Sequence, residues 1–163
     1  MLEINIGSFF FSTFLLFSFK KYILLLFYFL FFILNIFINS LIKILLQHPT
    51  PNDNHELFHI HKKNLPFYQF GNPSHNIQSI IYTSFFISFS LKKYYLYFIY
   101  FSFSTFAIFL EIYKKKHYYY QIIFASFIAI IISFIAYYSS SKYLTESLEH
   151  KKDDETYIIF SLV

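Results

Sequence analysis

Five long apolar runs, each closed by a short polar cluster, set the rhythm of this chain. Residues 4–19 form the first and end at Lys20-Lys21; Tyr22–Ile42 form the second. Pro73–Leu91 is closed by Lys92-Lys93, Tyr94–Ile112 by Lys114-Lys115-Lys116, and Tyr118–Tyr138 by Ser139-Ser140-Ser141. A bilayer core of about 30 Å needs a helix of about 20 apolar residues, at about 1.5 Å of rise per residue. The pattern predicts an all-α integral membrane protein, with about five transmembrane helices in one bundle. It divides the chain into a membrane domain over 1–138 and a polar C-terminal tail over 139–163, mixed in charge and expected to be mobile. The only charge before the first run is Glu3, so that run reads as a retained span rather than a cleaved signal.

Composition sharpens this picture. Of 163 residues, 56% are hydrophobic, with 26 Phe and 16 Tyr, more aromatic surface than a soluble core of this size can hide. Cysteine is absent, which removes disulfides and thiolate metal sites. All thirteen basic residues are lysine, so the bidentate guanidinium grip on phosphate is missing. Five crossings put the loop of about 48–72, the turn at 111–117 and Lys43 on the side of the N-terminus. Lys20-Lys21, Lys92-Lys93 and the tail lie on the other side. The lysine balance leans slightly toward a cytoplasmic location for that second side.

Within the second run, Asn35, Asn39 and Lys43 recur at i, i+4 and i+8 and share one helix face. Amides and a lysine at membrane depth are costly and point to a partner, a cavity or a ligand. They can equally be interhelical hydrogen bonds and a snorkelling helix end. In the loop, His55-Glu56-Leu57-Phe58-His59 spells the zinc-protease signature, with His61 nearby. That chemistry requires both histidines on one helix face and a third ligand. The run follows a Pro-Thr-Pro turn, and no convincing third carboxylate follows it. No metal or cofactor is therefore expected, and nothing calls for nucleic acid.

Three polar segments fall on one side of the bundle, and their residues resemble the three motifs of the type 2 phosphatidic acid phosphatase superfamily, in its dolichyldiphosphatase branch. The first is carried by Leu34, Asn35, Asn39, Ile42, Lys43, Gln47, Pro49 and Pro51, with Thr50 where the family has arginine. Gly71, Pro73 and Ser74 carry the second; its histidine position falls on Asn76, and His75 stands one residue early. His117 and Gln121 carry the third, where Leu110-Glu111 replace a Ser-Arg pair. The resemblance covers about residues 34–125.

What the resemblance implies is a phosphohistidine mechanism on a polyisoprenyl diphosphate, giving the monophosphate and phosphate without a metal. His117 would attack phosphorus, Gln121 would orient it, and His75 would protonate the leaving group. Lys43, Ser74, Asn76, Thr50 and Gln47 would surround the phosphate. The implied location is the endoplasmic reticulum membrane with the site facing the lumen, and the implied role is recycling of the glycosyl carrier lipid. The alternative is a catalytically degenerate relative that binds lipid phosphate or a membrane partner, an alternative favoured by the missing arginines.

Overall fold

The computed structural model describes residues 2–18, 21–48 and 71–160, with side chains described over 9–17, 21–48 and 71–145. Within them the chain is helical: α1 (Leu2–Ser18), α2 (Tyr22–Leu46), α3 (His75–Leu91), α4 (Tyr94–Tyr113) and α5 (Tyr119–Phe160). Thr50 and the His55–His61 stretch lie outside the described residues. Three helices are long and apolar enough to cross a membrane: α2, α4 and the Tyr119–Thr145 part of α5. The other two, α1 and α3, have 17 residues each and fall short of that length.

The least apolar of the first four helices is the one at the centre. α3 packs against α1, α2, α4 and α5, and eleven of its seventeen residues are buried. A helix enclosed by protein does not have to meet lipid, so it can carry Gln78, Ser79, Thr83, Ser84 and Ser88 among its apolar residues. Several of these side chains bond to neighbouring helices. Thr83 Oγ1 meets Tyr28 Oη of α2 at 3.0 Å, and Ser84 Oγ meets Ser104 Oγ of α4 at 2.8 Å. Around them Tyr28, Tyr82 and Phe86 form a packed aromatic group with ring centroids 5.6–6.0 Å apart. The outer helices present large apolar groups outward instead, among them Leu30, Phe37, Phe98, Phe101 and Phe127. A bilayer provides the environment such a surface requires.

α5 buries a row of small residues, Ala125, Ala129, Ser133, Ala136 and Ser140. Small side chains at this spacing let two helix backbones approach closely, the usual device where lipid supplies no hydrophobic drive. The helix does not stop at Ser139–Ser141: it continues in one piece to Phe160, so the polar tail is helical over that length. Serine only weakly disfavours a helix, and the residues that follow, rich in Glu, Lys and Leu, favour one.

α2 and α3 end in left-handed residues that are not glycine. Gln47 (φ 49°) caps α2 with its N–H on the Lys43 carbonyl, and Lys92 (φ 49°) caps α3 with its N–H on Ser88. The chain has only two glycines, so these turns use residues that carry a Cβ penalty there.

Candidate functional site

The last turn of α2, the first turn of α3, the end of α4 and the start of α5 meet at one end of the bundle. Two contacts join them. Gly71 N–H donates to the His48 carbonyl at 2.7 Å, bringing the chain before α3 back to the end of α2. Asn72 Nδ2 lies 3.1 Å from His48 Nδ1. The first and second motif segments are thereby brought together.

The Asn35–Asn39 stripe finds its partner in Gln78 of α3, which the sequence reading did not single out. Asn39 Nδ2 donates to Gln78 Oε1 at 2.6 Å, and Gln78 Nε2 donates to Asn35 Oδ1 at 2.9 Å and to the Asn35 carbonyl at 3.2 Å. All three residues are buried. Asn39 also reaches the Pro73 carbonyl at 3.4 Å. These amides answer one another across two helices. One turn beyond Asn39, Lys43 is half-buried, and its charge acts on both His75 and His117.

His117 sits in the turn between α4 and α5 with only 12% of its side chain exposed. Its Nδ1 is 3.3 Å from Gln121 Oε1, and the same oxygen accepts the Tyr118 N–H at 3.1 Å. An atom that accepts a backbone N–H is the amide oxygen, so the Nδ1 contact is donation from the ring. That leaves Nε2 with the lone pair in the neutral form. Gln121, fully buried, thus holds the His117 ring through Nδ1.

Nε2 faces Glu111, whose Oε2 is 3.7 Å away and whose side chain is fully buried. Glu111 Oε1 accepts a 3.0 Å hydrogen bond from Asn76 Nδ2. Asn76 and Glu111, two positions at which the sequence departs from the motifs it resembles, therefore bond to each other. A backbone hydrogen bond with Gly71 also favours the protonated ring. Burial acts the other way and prevails, holding the His117 imidazole below its ordinary 6.5; Glu111 and Gln121 oppose that shift, and Lys43 adds to it.

The remaining candidates divide. Ser74 is fully buried and caps α3, its Oγ accepting the Ile77 N–H at 3.5 Å. It is thus committed to the helix start that would also attract an anion. His75 opens α3 beside Asn76 and within reach of the Lys43 charge. Gln47 is exposed and ends α2. Lys114, Lys115 and Lys116 are all exposed and do not substitute for a buried guanidinium. Among the described residues, no group of three or more His, Asp or Glu side chains is placed to hold a metal. Glu111 is the member that the sequence marked only as a replacement in the third motif; its isolation as the one acid in a helix over Tyr94–Tyr113 was the available signal. Comparison with protein-family models, with curated proteins and with solved structures found no match for this chain.

Proposed function

We propose that the protein is a membrane phosphatase of the dolichyldiphosphatase type, acting on a polyisoprenyl diphosphate through a phosphohistidine intermediate. The observation that carries this reading is the His117–Gln121 pair: a buried imidazole, neutral near pH 7, with Nδ1 tethered and Nε2 bearing the lone pair. Lys43, His75 and Ser74 come to the same end of the bundle from two other motif segments. In the reaction Nε2 forms a bond to the terminal phosphorus as the bridging P–O bond breaks. His75 supplies the proton to the departing monophosphate, and water then releases phosphate from the histidine. With α1 and α3 as short additional spans, five crossings would leave this site at one membrane face. In the endoplasmic reticulum that face would be lumenal, and the product would rejoin the carrier lipid used in glycosylation. The apolar groove of about 530 Å³ between α3 and α4, with Ile81 and Ile108 at its near end, suits a lipid chain that stays in the bilayer.

A second reading is favoured by Glu111. A buried carboxylate 3.7 Å from Nε2 opposes an incoming phosphate, and loss of a single transition-state donor costs about 3–4 kcal/mol. Under this reading the protein is a degenerate relative that binds lipid phosphate or a membrane partner without turnover.

Phosphate release from a polyprenyl diphosphate, measured in detergent with chelator present, separates the two. The phosphatase reading expects chelator-resistant release that disappears in His117→Ala. No release from folded wild-type protein rejects it in favour of the binding relative.

A further inference from the structure

We infer that Glu111 is an internal occupant of the anion site, so that phosphate enters this site together with a proton taken up by the His117–Glu111 pair. The inference rests on the second reading above, an anion site without turnover, because a ring that has taken up a proton keeps no lone pair for phosphorus, and it adds how that site is regulated. Glu111 Oε2 is buried and has no hydrogen-bond partner, while Oε1 is held by Asn76. An unpaired carboxylate oxygen in a dry setting is costly, and it is aimed at the ring nitrogen that would meet phosphorus.

The histidine ring meets more acceptors than it has hydrogens. Gln121 Oε1 faces Nδ1, while Glu111 Oε2 and the Gly71 backbone lie toward the rest of the ring. Gly71 N–H is already used on His48, which leaves its carbonyl as the accepting group. A neutral imidazole carries one N–H and satisfies one of these acceptors. One proton more would satisfy a second, and burial is what keeps it out. The charges facing the pair are few. α2 brings Lys43, α3 brings His75 and the uncharged Asn76, and α5 brings uncharged Gln121. The Lys114–Lys116 turn is exposed.

With Lys43 positive, Glu111 negative and His117 neutral, the buried site carries no net charge before an anion arrives. A phosphate then adds negative charge to a pocket whose single cation is already balanced. Taking up one proton offsets one unit of that charge. Linkage makes the affinity for phosphate rise about tenfold for each pH unit of acidification while the pair remains unprotonated in the free protein. Removing the Glu111 charge ends the need for that proton.

The test is calorimetric titration of inorganic pyrophosphate into the full-length protein in detergent, between pH 6 and 8, in buffers of different ionisation enthalpy. Uptake by the wild type of close to one proton per anion beyond that taken up with Glu111→Gln supports the inference, since pyrophosphate itself titrates in this range. Glu111→Gln is expected to bind pyrophosphate at least about tenfold more tightly at pH 7.5, with that extra proton uptake lost. Wild-type binding that moves no extra proton and is unchanged in Glu111→Gln overturns the inference and leaves the anion site standing. Absence of binding in both proteins, with Lys43→Ala no different, overturns the anion site as well.

Discussion

Gln78 of α3 and Asn39 of α2 share a 2.6 Å hydrogen bond, and the other end of the same glutamine amide is held by Asn35. One side chain therefore bonds two buried amides one helical turn apart, although Asn35 Nδ2 is left without a partner, and it fixes the register between α2 and α3. Replacing Gln78 by Leu strands both asparagines. We expect a loss of about 2 kcal/mol, read as a lower midpoint in detergent unfolding. Asn39→Leu combined with Gln78→Leu should cost less than the sum of the two single changes, because the partners are removed together.

His117 gives the protein a pH-dependent stability of known sign. Burial holds its folded-state value below the ordinary 6.5. The stability it contributes is complete above the unfolded value and is lost as pH falls through 6.5 toward the lower folded value. Thermal unfolding between pH 8 and 5 should show the midpoint dropping with acidification, and His117→Gln should flatten that slope.

The small-residue face of α5 offers a packing test. Ala129 is fully buried in the core that includes Ile80, Ile87 and Ala125. Enlarging it to leucine forces the helices apart, and a loss of about 1–3 kcal/mol is expected. Ile131→Leu, on the exposed side of the same helix, should change stability by less than about 0.5 kcal/mol.

At Lys92 a gain is expected. Its φ of 49° lies in the left-handed region, where a Cβ costs about 1 kcal/mol, and its side chain is exposed. Lys92→Gly keeps the N–H to Ser88 and removes that cost, so the unfolding midpoint should rise.

The all-helical, membrane-suited class of the protein and the helix positions were legible in the sequence, because they depend on local quantities. Run length against bilayer thickness gives the helices. Polar groups at i, i+4, i+8 name a buried face, and lysine clusters mark the ends. The pairing of His117 with Gln121 is also local, four residues apart on adjoining turns, and it appeared as expected.

The tertiary structure decided which polar groups answer one another. Gln78 between Asn35 and Asn39, and Asn76 on Glu111, join positions 35 to 43 residues apart, and no periodicity carries such pairings. It also decided that the least apolar of the first four helices lies at the centre, since enclosure depends on the neighbours rather than on the helix itself. Glu111 illustrates the difference most sharply. In the sequence it is a charge in the wrong place for phosphate; in the fold it is a buried carboxylate with a donor on one oxygen and an imidazole facing the other. Residue chemistry is a property of the sequence, but a carboxylate's effect depends on what surrounds it, and only packing brings those surroundings together.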